Sequence, residues 1–457
     1  MGTITLQQAA AWCGGKVEPK YKNVTFLGAS NDTRKIAAGE LFVALKGARD
    51  GHDFIPAALE KGAAAVLCTH CDGDYPAIVV EDTRLALGDI ARHERARLNM
   101  KVVGITGSVG KSTTKEMVAA VLGSTYRVSK TPVNHNNDIG MSMAILAIPE
   151  DTQIAVLEMG MNHFGEIAYL SSIAKPDVAV IVNIGTMHIE HLGSMEGILQ
   201  AKLEILEGMD SDGKVVLNGD DPLLWNQHKI MDAVYFGQQN TRCAVMGLNA
   251  QETDGELRFT AAYNDKSYLV RLPLEGRHYV SDALAAVSVG MLMGVEEKAI
   301  QKSLGEFRNM AGRQEIFQAG EYTIIKDCYN AGPESMEAAL TVLGNRKGRR
   351  VAVLGDMLEL GVCTQAEHYK VGRIAAEKVD FLFAYGPNSS RVVSGALTGG
   401  MSDTNALAFD DRQKLAAALK QQVRPGDTLL FKGSNGMRMD LILDMFLNKG
   451  ESSEERA

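Results

Sequence analysis

Short apolar runs alternate with helical patterns along this chain from about residue 100. The strand candidates are Val102–Ile105, Ile154–Leu157, Val178–Val182 and Val215–Leu217, and the helical patterns are Lys111–Leu122, Glu166–Ile173 and Ser194–Met209. Continuous apolar strands that alternate with helices are typical of a largely parallel sheet covered on both faces. This part of the chain is therefore predicted to be an α/β domain.

A second alternating series begins near residue 313, and a smaller α/β pattern covers residues 1 to about 85. The second series has strand candidates at Tyr322–Ile325, Arg350–Leu354, Phe381–Ala384 and Thr428–Phe431, and helices at Glu334–Leu343, Ala366–Lys378 and Arg412–Gln422. We therefore predict an α/β protein with a small N-terminal domain, a central nucleotide-binding domain and a Rossmann-like C-terminal domain. The predicted domains are 1–95, 96–312 and 313–450, with a solvated tail at 451–457.

The composition is that of a globular protein, with 46% hydrophobic and 23% charged residues among 457. A chain of this length is too long for one hydrophobic core. The net charge of −9 argues against a protein that binds nucleic acid through a basic face. No apolar run approaches the roughly 20 residues needed to cross a bilayer, and the first residues lack the pattern of a signal peptide. We expect a cytoplasmic protein with no nucleic-acid partner and no membrane span.

Six cysteines are scattered along the chain, and only Cys68 and Cys71 lie close together, as "CTHC". One CxxC pair without a second pair is weak evidence for zinc, so we interpret the two as incidental thiols at the end of a strand. Reduced thiols fit an enzyme of the cytosol.

The segment "GITGSVGKSTTKEM", from Gly104 to Met117, carries the clearest chemical signal. A strand, a glycine turn and a helix follow one another, which is how a chain holds phosphate groups on backbone N–H groups. Lys111 is placed to meet the β- and γ-phosphates of a nucleotide, and Ser112 to bind Mg²⁺. The strict motif has a glycine where this chain has Ile105, so a glycine turn that caps an ordinary helix is the alternative. The predicted phosphate-binding residues are Thr106, Gly107, Ser108, Val109, Gly110, Lys111, Ser112 and Thr113.

Two further polar side chains follow apolar strands. Glu158 lies at the carboxyl end of a strand, where open α/β sheets place ligands, and a Mg²⁺-facing role is reasonable because a buried carboxylate needs a partner. The alternative is a glutamate at a strand end that is turned to solvent. His188 lies a few residues beyond the next strand, although a single loop histidine is more often structural.

Lys202 is the most informative single residue. In the helical pattern Ser194–Met209 it lies three or four residues from Ile198, Leu199, Ile205 and Leu206, and therefore on the apolar face. Desolvation lowers the pKa of a lysine and exposes a neutral, reactive amine. The alternative is a lysine whose ammonium group reaches solvent past Glu204 or Glu207.

Three polar loops follow strands of the second alternating series, which begins near residue 313. "IIKDCYNAGPESM" places Asp327, Tyr329 and Asn330 after one strand, "VLGDMLELG" places Asp356 and Glu359 after another, and "LFKGSNGMRM" places Lys432 after a third. Because the ends of parallel strands meet at one edge of a sheet, a site is favoured over three separate solvated turns.

Together these residues resemble those of the Mur ligase family of ATP-dependent enzymes that form amide bonds. The resemblance covers nearly the whole chain. It rests on the stretches "SNDTRKIAAGELFVALKG", "DGHDFI", "TGSVGKSTTKEM", "NHNNDIG", "EMGMNHFGEI", "AKLEI", "DCYNAGPESM", "GDMLELG" and "KGSNGMR", in the order that the family has them. One such motif would be weak evidence, whereas the ordered set is specific.

The resemblance implies roles for individual residues. Ser112, Glu158, His188 and Lys202 match positions that organise two Mg²⁺ ions, with the lysine carbamylated by CO₂. Thr33, Arg34, Asp50, Gly51 and His52 match the UDP-binding part of the first domain. Asn134, Asn136, Asn137, Asn162 and His163 match positions that line the channel for the muramoyl peptide. Arg313, Asp327, Tyr329 and Asn330 match nucleotide contacts supplied by the third domain.

The chain also departs from the family pattern. The family has asparagines where this chain has Tyr279 and Asp282, and it has "YNANP" and an arginine where this chain has Gly332 and Asn435. These differences concern the contacts with the adenine base and with the dipeptide substrate. They leave the phosphate and metal positions unchanged.

The reaction that the resemblance implies joins D-alanyl-D-alanine to UDP-N-acetylmuramoyl-tripeptide. ATP activates the carboxylate as an acyl phosphate, and the products are the UDP-muramoyl pentapeptide used for peptidoglycan, ADP and phosphate. "NHNNDIG" and "GDMLELG" favour the dipeptide-adding ligase over one that adds another amino acid. A P-loop nucleotide switch is the alternative of a different class, but the closest match to a guanine NKxD motif is "NKGE", which begins at 448 within the last ten residues of the chain, a stretch typical of a solvated tail. The expected partners are these small molecules, and the expected state is a monomer.

Overall fold

A computed structural model describes residues 3–229, 232–253 and 255–448, so the tail predicted at 451–457 lies outside the described residues. The contacts divide the chain into two compact units. The first comprises residues 1–182, 199–245 and 283–303, and the second comprises residues 183–198, 246–282 and 304–457. Each unit is α/β, and the sheets are mostly parallel, as the alternation of strands and helices predicted.

The first hundred residues form a small α/β layer. The strands are β1 (Ile4–Thr5), β2 (Thr25–Phe26), β3 (Ala29–Ser30), β4 (Leu41–Val43), β5 (Ala65–Cys68) and β6 (Ala77–Val79), and the helices are α1 (Leu6–Cys13), α2 (Ile55–Glu60) and α3 (Thr83–Arg97). Strands β3 to β6 pair in parallel, and β1 pairs with β2 in antiparallel fashion. Helix α3 begins after Asp82, whose carboxylate accepts the N–H groups of Arg84 and Leu85. The helix continues to Arg97, so the domain boundary predicted after residue 95 lies inside it.

The central sheet carries the glycine turn. Its strands are β7 (Lys101–Thr106), β8 (Val128–Lys130), β9 (Ile154–Glu158), β10 (Val178–Ile181), β11 (Lys214–Asn218) and β12 (Val234–Gly237), and the helices of this stretch are α4 (Lys111–Gly123), α5 (Asp138–Leu146), α6 (Glu166–Ala174), α7 (Ile189–Leu192), α8 (Met195–Leu203) and α9 (Pro222–Trp225). The strands are ordered β12-β11-β10-β7-β9-β8, and their pairs are parallel. Strands β7, β9 and β10 are buried almost throughout, which explains their continuous apolar sequences.

The observed helix α8 is shorter than the helix predicted at Ser194–Met209. Helix α8 ends at Leu203, and a 3₁₀ turn covers Glu204–Leu206. The Glu204 carboxylate accepts the N–H groups of Gly165 and Ala168 at the start of α6, at 2.8 and 3.2 Å. A Cβ atom on Gly208 would lie 2.1 Å from the carbonyl oxygen of Ser171 in α6. This tertiary contact with α6 overrides the helical periodicity.

The middle of the chain continues with three longer strands and two helices: β13 (Val245–Thr253), β14 (Glu256–Tyr263), β15 (Lys266–Leu272), α10 (Tyr279–Leu292) and α11 (Glu297–Gly305). Strands β14 and β15 form an antiparallel hairpin with alternating burial. That alternation is typical of a sheet with one face against the core and one face in water.

The C-terminal sheet belongs to the second unit. Its strands are β16 (Glu315–Ala319), β17 (Tyr322–Asp327), β18 (Arg350–Gly355), β19 (Phe381–Tyr385), β20 (Ala406–Phe409) and β21 (Thr428–Lys432), and its helices are α12 (Pro333–Gly344), α13 (Thr364–Lys378), α14 (Ser389–Thr398), α15 (Arg412–Gln422) and α16 (Met439–Phe446). The strand order is β16-β17-β21-β18-β19-β20. Neighbouring residues such as Ile324 and Ile325 enter different core clusters, so the sheet is covered on both faces. Among the described residues, no helix is long and apolar enough to cross a membrane.

Candidate active site

The glycine turn joins strand β7 to helix α4. Thr106 ends the strand, and Gly110 adopts a left-handed φ of 86° immediately before the helix begins at Lys111. The Thr106 hydroxyl is buried, and its Oγ1 has no hydrogen-bond partner in the part of the chain that the structure describes. Ser108, Ser112 and Thr113 are also buried. A helix N-terminus preceded by a glycine turn, with an unsatisfied hydroxyl beside it, fits a phosphate chain.

Lys111 folds back over this turn. Its Nζ donates hydrogen bonds to the carbonyl oxygens of Gly107 and Ser108, at 2.7 and 3.1 Å. The ammonium group therefore lies beside the loop whose backbone would receive the phosphates. The geometry fits the charge-neutralising role predicted for Lys111.

Glu158 ends strand β9, next to the glycine turn. Its cross-strand partner on β7 is Ile105, one residue before Thr106. The side chain is 4% exposed, which contradicts the alternative of a solvent-facing glutamate. Asn136 Nδ2 donates to Glu158 Oε1 at 3.0 Å, and the Glu158 N–H donates to Thr131 Oγ1 at 3.0 Å. A buried carboxylate thus lies at the edge of the sheet where the turn begins.

The sequence reasoning missed Lys115, whose Nζ lies 3.8 Å from Glu158 Oε2. Lys115 is completely buried in helix α4, and its Nζ donates to the carbonyl oxygen of Thr131 at 2.8 Å. A signal was present in the sequence, because Val118 and Ala119 lie three and four residues further along the same helix. The test that singled out Lys202 would also have found Lys115.

Lys202 lies near the end of helix α8 with only 1% of its surface exposed. This confirms that the residue points inward and excludes the solvent-reaching alternative, and Glu204 instead binds the start of α6. Burial lowers the pKa of the Lys202 amine well below its usual value, and the positive charge of Lys111 lowers it further. Both effects shift the protonation equilibrium of this amine toward its neutral form.

The asparagines predicted to line the peptide channel have different surroundings. Asn136 contacts Glu158, whereas the Asn137 side chain caps helix α5 by accepting the N–H group of Gly140 at 2.8 Å. Asn134 has a left-handed φ of 66° in an exposed turn. Asn162 and His163 are exposed and contact Glu166 through the Asn162 N–H group and His163 Nδ1. Of this set, Asn136 contacts the predicted metal ligand directly.

The residues predicted to contact UDP lie in two turns of the small N-terminal layer. In the first turn, which contains Thr33, the guanidinium of Arg34 makes two 3.0 Å contacts with Asp32. In the second turn, His52 Nδ1 donates to Asp50 at 2.6 Å, and Nε2 accepts the N–H group of Thr69 at 3.0 Å.

Gly51 is required in the second turn. A Cβ atom at this position would lie 2.6 Å from the Leu45 nitrogen. Both ring nitrogens of His52 are occupied, so this imidazole supports the turn.

His188 belongs to the second unit, where its Nδ1 donates to Glu359 Oε2 at 2.6 Å. The hydrogen bond from His188 lowers the pKa of the Glu359 carboxyl. Both residues have a left-handed φ, 65° and 63°, which non-glycine residues adopt only when their surroundings enforce it. A carboxylate bound to one ring nitrogen fixes the tautomer and leaves Nε2 as the nitrogen able to bind a metal.

Several residues predicted to form a site in the C-terminal sheet lie at one edge of it, as expected for residues at the ends of parallel strands. Lys432 ends β21 opposite Asp327 of β17, and its Nζ donates to Asp327 Oδ2 at 2.7 Å and to the Asn330 carbonyl oxygen at 3.0 Å. The Arg313 guanidinium lies 3.7 Å from the centre of the Tyr329 ring. Lys432 and Asp327 were predicted to lie beyond their strands, whereas each is the last residue of its strand.

Tyr279, one of the departures from the family pattern, is buried at the start of helix α10. Asn309 Nδ2 donates to its hydroxyl at 2.8 Å, and burial raises the pKa of this phenol. The ring of His278 lies 4.1 Å from the Tyr279 ring, centre to centre, and burial lowers the pKa of His278 to about 4. Asn309 was not among the site residues predicted from the sequence.

Three family models match the chain. They are the Mur ligase family catalytic domain at residues 24–95, the Mur ligase middle domain at 105–290, and the Mur ligase glutamate ligase domain at 312–435. The matches follow one another along the chain and include the glycine turn.

Similar proteins are named UDP-N-acetylmuramoyl-tripeptide–D-alanyl-D-alanine ligase. The one from Bacillus subtilis is 38% identical and covers 94% of this chain and 95% of its own length. The one from Escherichia coli is 36% identical and covers 98% and 100%.

Two solved structures have similar folds. One is MurF from Acinetobacter baumannii, with a TM-score of 0.90 and 31% identity over 98% of this chain and all of that one. The other is the MurF ligase from Thermotoga maritima in complex with ADP, with a TM-score of 0.81 and 30% identity over 93% and 97%.

Proposed function

Because this chain belongs to the Mur ligase family, we propose that it is an ATP-dependent ligase that joins D-alanyl-D-alanine to UDP-N-acetylmuramoyl-tripeptide. The relatives that match nearly its whole length carry this activity in their names. The observation that carries the proposal is the pairing of β7 with β9, which places the buried Glu158 beside the glycine turn. The glycine turn and a buried carboxylate thus lie at the same edge of the sheet, which supports a nucleotide site there.

The proposed chemistry needs no covalent nucleophile from the protein. A carboxylate reacts poorly with an amine because an oxide would have to leave. Transfer of the γ-phosphoryl group of ATP turns the peptide carboxylate into an acyl phosphate, from which phosphate leaves readily. The dipeptide amine then attacks the acyl carbon. The protein contributes positioning, neutralisation of charge and exclusion of water.

The surroundings of the glycine turn fit ATP with Mg²⁺. Lys111 holds positive charge at the loop, and the buried Thr106 hydroxyl offers an unsatisfied polar atom beside the phosphates. Ser112 and Glu158 are the oxygen ligands that we assign to Mg²⁺. No set of three His, Cys, Asp or Glu side chains within the described ranges is grouped to hold a metal. Mg²⁺ is commonly bound through one or two carboxylates together with phosphates and water, so these residues fit it.

We assign a carbamate of Lys202 to the same site. Burial and the lowered pKa of Lys202 favour the neutral amine, which is the species that reacts with CO₂. The carbamate would supply a carboxylate-like anion that can bind Mg²⁺. Burial keeps the neutral amine available and excludes water from it.

The remaining assignments stay predictions. They are the binding of metal by His188, the binding of nucleotide by Arg313, Asp327, Tyr329 and Asn330, the three-domain boundaries, a monomeric state and a cytoplasmic location. The Glu359 contact supports the assignment of His188, because it leaves Nε2 able to bind a metal.

Release of phosphate from ATP should require both organic substrates. We expect little hydrolysis with enzyme and ATP alone, and full turnover only when a UDP-muramoyl tripeptide and D-Ala-D-Ala are present together. A coupled phosphate assay with each substrate added singly and then jointly measures this. Equal hydrolysis by the enzyme alone would favour a nucleotide switch over a ligase.

The acyl-phosphate route predicts the fate of an oxygen label. When the reacting carboxylate of the tripeptide carries oxygen-18, one labelled oxygen should appear in the released phosphate, because the carboxylate oxygen leaves with phosphorus. Mass spectrometry of the phosphate measures this. Label retained only in the peptide product would contradict the mechanism.

A further inference from the structure

Lys115 lies one turn into helix α4, and its side chain is completely buried. Its Nζ donates to the Thr131 carbonyl oxygen at 2.8 Å, and lies 3.3 Å from Glu116 Oε1 and 3.8 Å from Glu158 Oε2. A buried ammonium group is costly unless charge and hydrogen bonds compensate it. These contacts place it between two carboxylates and a carbonyl.

The Glu158 carboxylate is held from two sides. Lys115 faces Oε2, while Asn136 donates to Oε1 at 3.0 Å. Thr131 contacts both Glu158 and Lys115. Its hydroxyl accepts a hydrogen bond from the Glu158 N–H group, and its carbonyl oxygen accepts one from the Lys115 ammonium. Helix α4, the segment that follows β8 and the end of β9 are therefore linked through one carboxylate.

The distances distinguish two roles for Lys115. A cation that served only as a counter-ion would approach a carboxylate at the 2.7–2.9 Å typical of charge-assisted hydrogen bonds. Here the shortest contact is to the neutral Thr131 carbonyl, and both carboxylates lie farther away. The backbone carbonyl thus sets the position of the ammonium group, which faces Glu158 Oε2 from 3.8 Å.

We propose that Lys115 is a positioning residue that, together with Thr131 and Asn136, holds the Glu158 carboxylate in the orientation in which it binds a divalent cation. The proposal rests on the ligase function only in assigning Glu158 to the metal. Partners of metal ligands orient them, and their loss costs about 10–100-fold in metal affinity or activity. Each Glu158 oxygen retains a further lone pair for the cation.

The test measures Mn²⁺ binding in the presence of ADP, by electron paramagnetic resonance of the free ion, on the full chain without turnover. Lys115→Met keeps the length of the side chain and removes its charge. We expect the Mn²⁺ affinity of this variant to fall about 10- to 100-fold, with ADP affinity measured without metal changed less than threefold. Steady-state assays should show the same loss as a raised Mg²⁺ requirement.

The matched control is Lys130→Met. Lys130 is a half-exposed lysine that contacts Glu116 but makes no described contact with Glu158. Its Mn²⁺ affinity should equal that of the wild type. Thr131→Val is the second test variant in case Lys115→Met does not fold, because it removes the hydroxyl that accepts the Glu158 N–H group. It should also weaken Mn²⁺ binding, and thermal unfolding shows which variants are folded.

Unchanged or tighter Mn²⁺ binding by folded Lys115→Met would overturn the proposal, since removal of a mere counter-ion leaves the site more negative. An equal loss in Lys130→Met would also overturn it, because the effect would then be one of general charge. Failure of the ligase function is seen separately, as phosphate release by the wild type that does not depend on the peptide substrates.

Discussion

Replacing Lys111 by alanine is expected to lower turnover by a factor on the order of 10²–10³ or more, with the fold unchanged. The Lys111 ammonium lies against the carbonyl oxygens of Gly107 and Ser108, beside the loop that is proposed to receive the phosphates. Negative charge redistributes there when the phosphoryl group moves, and the ammonium stabilises it. The measurement is kcat for phosphate release with both substrates saturating, together with thermal unfolding.

The matched control is Lys101→Ala. Lys101 begins the same strand β7 but is exposed at its opposite end. This variant removes the same charge, and we expect wild-type turnover from it. A Lys111→Ala enzyme with near-normal kcat would remove the assignment of the phosphate loop.

Replacing Lys202 by arginine is expected to lower turnover by a similar factor, on the order of 10² or more. Arginine keeps its positive charge and cannot be carbamylated, so a cation would stand where the proposed site needs an anion. Lys202 is buried, so the guanidinium would stand in a place that is shielded from solvent. The measurement is kcat across a range of Mg²⁺ and bicarbonate concentrations.

A second readout does not depend on turnover. With ¹³C-bicarbonate, the wild type should show a carbamate carbon signal that is missing from Lys202→Met. Formate should partly restore the activity of Lys202→Ala by filling the vacated space with a small carboxylate. Lys214→Arg, at an exposed lysine, is the control and should be fully active. An active Lys202→Arg enzyme without a carbamate signal in the wild type would refute the assignment.

Much of the fold could be predicted from the sequence. The eight strands predicted for the central and C-terminal sheets lie within one or two residues of their predicted bounds, because continuous apolar runs are required wherever a parallel strand is covered on both faces. Strands β8, β12, β16 and β20 of the same sheets were not predicted. The inward direction of Lys202 was predicted for the same kind of reason. Helical periodicity reports directly which face of one element is buried.

The candidate site was less completely predictable. Helical periodicity could have shown that Lys115 faces the core, but not that Lys115 and Thr131 contact Glu158, which is 43 and 27 positions further along the chain. The solvated alternative for Lys202 failed because the Glu204 carboxylate binds N–H groups of α6. Asn137 and His52, which the resemblance assigned to substrate contacts, have side chains engaged in a helix cap and in a turn.

The sequence alone was enough to predict the α/β class, the glycine turn between a strand and a helix, the apolar face that carries Lys202 and the family, because local patterns and ordered motifs carry that information. Three features depended on tertiary contacts: the end of helix α8, the side chains that contact Glu158, and the contact of Lys432 with Asp327 on the neighbouring strand. Those outcomes depend on groups brought together from distant parts of the chain. A buried carboxylate or ammonium must find its partners among whatever neighbours packing supplies, and no periodicity within one element records them.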